Sequence, residues 1–304
     1  MFLDATQTAA RLPYPALVAQ VRAVLGDDNV VAPQRVVQPL AGGAALFAMP
    51  AADARIAIAK LITYTPANAG TGRPAIQGDV VVFDVATGER RFVLDGPTVT
   101  ARRTAAVSVL AAQLLAPTMR ASLLIVGAGA QGRAHLDAFV QVLGVRDVLI
   151  ASRSASSAQA LAEHARSIGA NAQVITNIDA AMRDCPLVAM CTPAREIALN
   201  AVPRADAFIA AVGAFTPAMA EIAPDVCLHC AQHGRVVLDT RDAIHEAGDL
   251  IRAGLDMQSF ATLRDVVRSA HAQTQPRRGP VLFKSCGWAG WDLAAARTAA
   301  LGDS

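Results

Sequence analysis

Ser122-Leu123-Leu124-Ile125-Val126-Gly127-Ala128-Gly129-Ala130-Gln131-Gly132 decides the fold, because four aliphatic residues run directly into a Gly-x-Gly-x-x-Gly turn. The aliphatic run predicts a buried strand. After the turn, Ala134, Ala138, Phe139 and Val142 recur at helical spacing, and Gly144 suits the position that closes a helix. Strand, glycine turn and helix in that order form a dinucleotide-binding unit. Gly127 permits the tight turn, Gly129 lets a pyrophosphate approach the backbone, and Gly132 lets the helix pack on the strand. Ala130 and Gln131 begin that helix, whose free N–H groups receive phosphates.

One helix further on, the apolar run Val148-Leu149-Ile150-Ala151 ends in Ser152-Arg153-Ser154. The second strand of this unit ends beside the adenosine ribose, where an Asp or Glu selects NAD and an Arg accommodates a 2′-phosphate. Here there is no carboxylate. Arg153 offers a forked donor set and the two serines add hydroxyls. The expected cofactor is NADP(H), with NAD(H) the weaker alternative; the competing reading makes Arg153 a solvated loop residue.

The remaining strands extend the pattern. Residues 172–176, 187–191, 207–212 and 236–239 read as strands; 155–167, 178–183, 224–231 and 242–253 read as helices. With the first two strands this makes six, a doubly wound α/β domain at 117–281. The first 116 residues read differently. Short β-prone runs at 36–40, 44–49, 56–64, 80–85 and 91–94 are punctuated by Gly, Pro and Asn, with a hairpin around Ala86-Thr87-Gly88. They precede an alanine-rich helix at 99–115. The last segment, 279–301, reads as a strand and a helix that return to this α+β domain, so 1–116 plus 282–304 form one domain.

The chain of 304 residues is long enough for two cores. Its net charge of +2 is small and evenly spread; Arg102-Arg103 and Arg277-Arg278 are pairs and not patches, which argues against a nucleic-acid partner. No stretch approaches the roughly 18 apolar residues of a membrane span. Asp4 and Gln7 interrupt the N-terminus too early for a signal peptide, and five cysteines in this length do not read as a disulfide framework. The expected compartment is the cytoplasm.

Outside the glycine turn, further motifs carry a resemblance. Arg35, Met49-Pro50, Ala59-Lys60, Pro66-Ala67-Asn68, Gly78 to Asp84 (GDVVVFD), Thr100 to Ala106 (TARRTAA), Val212-Gly213-Ala214 and Leu282 to Gly287 (LFKSCG) occur in order. In these the chain resembles the ornithine cyclodeaminase/μ-crystallin family, over nearly its whole length. The resemblance implies a homodimer with a β-rich N-terminal domain for substrate binding and dimerisation, and activity on amino acids or their cyclic imines. It also implies that Arg35, Lys60 and Arg103 clamp the substrate carboxylate, and that Thr104 and the Val212-Gly213 turn touch the cofactor. The chemistry agrees, since Arg binds a carboxylate in bidentate fashion and Lys adds a compact charge. Lys60 stands out because it interrupts the apolar run from Ile56 to Ile62.

Two departures narrow the substrate. The family's ornithine cyclodeaminases carry a Glu just before Met-Pro, where this chain has Phe47, and an Asp in the turn that reads Gly213-Ala214-Phe215 here. Those carboxylates handle the amino groups of a diamine. Phe47 and Phe215 instead form an apolar pocket wall suited to a flat cyclic imine with one carboxylate. The resemblance thus points to the Δ1-pyrroline-2-carboxylate (ketimine) reductases: an NADPH-dependent reduction giving L-proline, and L-pipecolate from the six-membered Δ1-piperideine-2-carboxylate. An amino-acid dehydrogenase of the alanine type and a non-catalytic, crystallin-like NADPH binder are the alternatives.

Other features carry less. Cys227, His229, Cys230 and His233 offer CxxC spacing, but no second ligand pair follows at a finger-like distance; the two cysteines share a helix face and read as small hydrophobes, with no metal expected. His135 reads as a helix-surface or capping residue and Asp239 as a structural hydrogen-bond acceptor. Thr192, at a strand end, is a candidate cofactor contact. Lys284 has two readings, a nucleotide contact or a brace for the fold.

Overall fold

Period-two alternation of apolar residues builds a six-stranded sheet in the first third of the chain. The computed structural model describes residues 1–68, 71–119, 121–192, 196–269 and 279–303; Arg277 and Arg278 lie outside them. The strands are β1 (Phe2–Leu3), β2 (Val36–Pro39), β3 (Ala45–Ala52), β4 (Ile56–Tyr64), β5 (Ile76–Asp84) and β6 (Arg90–Asp95), in the order β1-β6-β5-β4-β3-β2. β2 to β6 pair antiparallel with their neighbours; β1 runs parallel to β6. In β4, Ile56, Ile58, Lys60 and Ile62 point inward while Ala59 and Leu61 face solvent. Residues two apart share a sheet face, so Lys60 takes an aliphatic position in the inner row.

Two helices in this unit were not assigned from sequence, Ala5–Ala10 and Tyr14–Gly26. The second buries Tyr14, Leu17, Val18, Val21, Val24 and Leu25, a helical stripe. Helix Ala289–Ala300 packs against it and across β3 and β4. Arg297 fastens this C-terminal helix, with Nε 2.5 Å from Asp53 and Nη2 2.5 Å from Asp27.

The rest of the chain forms an eight-stranded, all-parallel sheet. Its strands are β7 (Leu123–Val126), β8 (Asp147–Ala151), β9 (Asn171–Val174), β10 (Leu187–Met190), β11 (Phe208–Ala211), β12 (Arg235–Leu238), β13 (Ala261–Thr262) and β14 (Val281–Lys284). The order is β13-β12-β14-β11-β10-β7-β8-β9, a Rossmann-like α/β fold. The six expected strands are present, but two more complete the sheet. β14 is a correction: the run Val281–Lys284 does not return to the first sheet but lies between β11 and β12. All four of its residues are buried, as suits a central strand covered on both faces. Only the helix after it returns.

The chain divides into two units, Met1–Arg103 with Trp288–Ser304, and Thr104–Gly287. The division falls inside helix Gly96–Leu115 and beyond β14, whereas the sequence reading put it at 116/117 and 281/282. The expected helix at 242–253 is two short ones, Ala243–Glu246 and Gly248–Arg252, broken at Ala247. There the backbone of Gly248 passes so close to Met219 that a Cβ would lie 2.0 Å from its carbonyl oxygen. Among the described residues, no helix is long and apolar enough to cross a membrane.

Candidate functional site

In the second unit the glycine turn leaves β7 beside the end of β8, and the Gly127 N–H donates to the Ala151 carbonyl at 2.8 Å. The three glycines are required for different reasons. Gly127 has φ 108°, and a Cβ there would meet the Cys191 carbonyl oxygen at 2.6 Å; on Gly132 it would meet the Gly127 oxygen at 1.9 Å. The fold itself demands these two. A Cβ on Gly129 would meet nothing within 4 Å. Packing therefore does not explain Gly129, whose backbone is left open to approach. Gly129 also begins helix Ala130–Ala138 with no side-chain cap, leaving its first N–H groups available to an anion. Ala130 is exposed, and the Oε1 of Gln131 is buried with no hydrogen-bond partner among the described residues.

Ser152, Arg153 and Ser154 follow β8. Ser154 caps helix Ala155–Ser167, accepting from the Ser157 N–H at 3.2 Å, and Ser152 Oγ accepts from the Ser154 N–H at 3.3 Å. Ser154 thus serves as the helix cap and Ser152 holds the turn that leads into it. Arg153 is solvent-exposed at the strand end.

The strand ends of β10 and β11 meet on one buried carboxylate that the sequence reading missed. Glu221 Oε2 accepts from the Thr192 N–H at 3.2 Å and its hydroxyl at 3.1 Å. Its Oε1 accepts from the N–H groups of Gly213 at 2.8 Å and Ala214 at 3.3 Å. Gly213 cannot carry a side chain, since a Cβ would lie 2.0 Å from the Thr192 carbonyl oxygen. Val212, beside it, is buried. Asp249 braces Glu221 in turn, accepting from the N–H groups of Glu221 at 2.6 Å and Ile222 at 3.0 Å. Lys284 completes the cluster, with Nζ 2.5 Å from Asp249 and 4.0 Å from Glu221.

Burial pushes the Glu221 carboxyl up to about 7, Lys284 pulling it down and Asp249 pushing it further up. Burial also opposes the Lys284 charge, but Asp249 and the other negative groups outweigh it and hold the ammonium above its usual range. Lys284 has no exposed surface. Of its two sequence readings, the brace matches this placement, in which Asp249 and Glu221 take the ammonium. Phe215 packs, partly buried, against the core of this unit.

His135 is a further correction. It is fully buried, its Nε2 2.9 Å from Ser108 Oγ and its Nδ1 2.8 Å from the Gln131 carbonyl oxygen. Burial pushes its imidazole down to about 4, so it stays neutral near pH 7. Asp239 accepts from the Ser285 hydroxyl and from the Cys286, Gly287 and Thr240 N–H groups, a structural role. Cys227 and Cys230 are buried in the core. Among the described residues, no group of three His, Cys, Asp or Glu side chains is placed to hold a metal.

The first unit gathers the expected cations. Lys60 Nζ lies 2.9 Å from Asp292 Oδ1, and Arg103 Nε lies 3.3 Å from the same oxygen. Asp292 comes from helix Ala289–Ala300 and is fully enclosed. Half-buried Arg35 stacks its guanidinium 5.7 Å from the centroid of Phe47, which is itself buried. Burial lowers Lys60 to about 8; Asp292 opposes this, while Arg103 and Arg35 add to it. Arg103 and Arg35 are therefore both close enough to repel the Lys60 charge, which Asp292 holds. Thr104, next to Arg103 and assigned to the second unit, is buried.

The missed carboxylates had a signal. Asp292 is the lone acid in Ala289–Ala300, and Glu221 is the lone acid in the apolar stretch before Pro224. A charge in such a stretch must find a partner.

A model of the ornithine cyclodeaminase/mu-crystallin family matches residues 17–300. A Burkholderia multivorans protein named Δ1-pyrroline-2-carboxylate reductase 1 is 42% identical over 303 residues, spanning 97% of this chain and 94% of its own. An Azospirillum brasilense Δ1-pyrroline-2-carboxylate/Δ1-piperideine-2-carboxylate reductase is 39% identical over 300 residues, with the same coverage of both. Among solved structures, a Thermococcus litoralis Δ1-pyrroline-2-carboxylate reductase, in complex with NADH and L-proline, superposes with a TM-score of 0.90. It is 22% identical and covers 100% of this chain and 98% of its own, which shows a shared fold.

Proposed function

This chain belongs to the ornithine cyclodeaminase/mu-crystallin family, and from that premise we propose that it is an NADPH-dependent oxidoreductase that reduces cyclic imines. Its substrates are Δ1-pyrroline-2-carboxylate, giving L-proline, and Δ1-piperideine-2-carboxylate, giving L-pipecolate. The observation that carries the reading is the pairing of Lys60 and Arg103 on one buried carboxylate, with Arg35 over Phe47 in the same unit, in a chain 42% identical to a protein of that name. A positive cluster with an apolar neighbour suits a small ring bearing one carboxylate.

In this reading Arg35, Lys60 and Arg103 hold the substrate carboxylate, and Phe47 and Phe215 shape an apolar wall. Neither phenylalanine can take a proton from an amine, which disfavours ornithine as substrate. The first unit selects the substrate and the second holds the cofactor. Gly127, Gly129, Ala130, Gln131 and Gly132 receive the pyrophosphate, and Arg153 with Ser152 and Ser154 takes the 2′-phosphate, which favours NADP(H) over NAD(H). Thr104, Thr192, Val212 and Gly213 complete the cofactor contacts, with Lys284 acting through Glu221 and Asp249. The cofactor supplies a hydride to C2 of the imine. The electron pair of the carbon–nitrogen double bond passes to nitrogen, which carries a proton taken from solvent. The residues supply position and charge.

The outer face of the first sheet supports a homodimer. Val36, Ala48 and Leu61 lie in register across β2, β3 and β4, with Val36 62% and Leu61 53% exposed. Pro50 and Ala59 extend this apolar surface. A second copy covers such a face with a self-complementary patch. Incubation with NADPH deuterated on the nicotinamide tests the reaction: the expected product is L-proline carrying one deuterium at Cα. Recovery of unchanged imine and unoxidised NADPH would reject it.

A further inference from the structure

The basic residues of this chain are sharply biased. Of 27, only Lys60 and Lys284 are lysines; the other 25 are arginines. Both lysines are enclosed and each sits on an aspartate, Asp292 at 2.9 Å and Asp249 at 2.5 Å. Arginine keeps its charge in any protein site, whereas an ammonium is compact and its charge responds to its neighbours. Lysine thus occurs in this chain where a small cation meets a buried carboxylate. Lys284 serves the strand-end cluster described above. Lys60 faces a different balance.

The charged groups acting on Lys60 are Asp292 from the C-terminal helix, Arg103 from helix Gly96–Leu115, and Arg35 just ahead of β2. Lys60 and Arg103 share one carboxylate, which leaves that pair with excess positive charge. Asp292 uses a single oxygen for both near cations, and its Oδ2 has no hydrogen-bond partner among the described residues. An ion pair built only to fix the fold has no need of a surplus of positive charge, since Arg297 is matched by two aspartates.

We propose that Asp292 is a positioning residue for the substrate carboxylate: its Oδ1 accepts from the Lys60 ammonium and lies 3.3 Å from Arg103 Nε, an atom with no hydrogen-bond partner among the described residues, so that the two cations are held side by side with N–H donors left for one anion. The proposal rests on the cyclic-imine reading. It assigns the excess positive charge to an incoming carboxylate and gives the C-terminal helix a part in recognition. Without Asp292, Lys60 would lose the anion that holds its charge beside Arg103, and would lose its proton at lower pH.

Lysine labelled with carbon-13 at Cε gives two side-chain signals in this chain, so a pH titration reads Lys60 with Lys284 as internal control. In Asp292→Asn the Lys60 midpoint is expected to fall by about one pH unit or more. The KM for Δ1-pyrroline-2-carboxylate should rise about tenfold or more, as for loss of a charge-assisted contact. The KM for NADPH should stay unchanged, and Asp292→Glu should restore the Lys60 midpoint. A folded Asp292→Asn enzyme with an unchanged imine KM, or with an unmoved Lys60 midpoint, overturns the proposal. If the Asn variant does not fold, Asp292→Glu decides: its longer arm should raise the imine KM while kcat and the NADPH KM hold, and an unchanged imine KM overturns it. Wild-type enzyme that reduces no cyclic imine would refute the functional reading separately, and the Lys60 midpoint in Asp292→Asn would still judge the anchor.

Discussion

Replacing Glu221 with Gln tests the cluster that ties the ends of β10 and β11. Burial raises the Glu221 carboxyl from 4.5 to about 7. Because the folded-state value lies above the unfolded one, the folded protein binds the extra proton between those limits. The associated stability is fully present below pH 4.5 and is lost as pH rises through 7. A difference of this size corresponds to about 3 kcal/mol, from about 1.4 kcal/mol per unit. For a unit of this length that is a change in Tm of roughly 6–12 °C. Gln cannot ionise, so this part of the pH dependence disappears in Glu221→Gln. The variant has a cost of its own. Its single acceptor oxygen serves either Thr192 or the Gly213–Ala214 pair, leaving two buried donors unsatisfied, at about 1–3 kcal/mol each. Thermal melts of both proteins followed by circular dichroism from pH 5 to 8 measure the difference in Tm, in which other titrating groups cancel. Wild type should lose stability relative to the variant as pH rises through this range. A difference that stays flat with pH would refute the assignment of Glu221 as the titrating group.

Three further outcomes are expected. Arg153→Ala should raise the KM for NADPH about tenfold or more through loss of a charge-assisted phosphate contact, and leave the KM for NADH nearly unchanged; steady-state kinetics with both nucleotides read this. Gly129→Ala should fold normally yet weaken nucleotide binding, whereas Gly132→Ala should lower Tm by several degrees, because its Cβ would clash at 1.9 Å with the Gly127 carbonyl; calorimetric titration and melting separate the two. Leu61→Arg, on the exposed face of β4, should convert a dimer to a monomer in light scattering coupled to gel filtration.

Local chemistry makes much of this molecule legible in its sequence. A strand, a glycine turn and a helix are contiguous, so SLLIVGAGAQG announced its own geometry. Lys60 was conspicuous because it breaks an aliphatic alternation within seven residues. What escaped depends on contacts between distant parts of the chain. Asp292 meets Lys60 across 232 residues, and Glu221 meets Thr192 across 29. β14 was recognisable as a strand, but its place between β11 and β12 is a matter of sheet order, which periodicity does not encode. His135 read as a surface residue because Ser108, its buried partner, lies 27 residues earlier on another helix.

The most direct test of the central claim is the ratio of kcat/KM, with NADPH as reductant, for Δ1-pyrroline-2-carboxylate against pyruvate plus ammonia. Lys60 and Arg103 on Asp292, with Arg35 over the apolar Phe47, predict fast reduction of the cyclic imine and slow or undetectable reductive amination. Faster turnover of pyruvate with ammonia would contradict it and make the chain an amino-acid dehydrogenase.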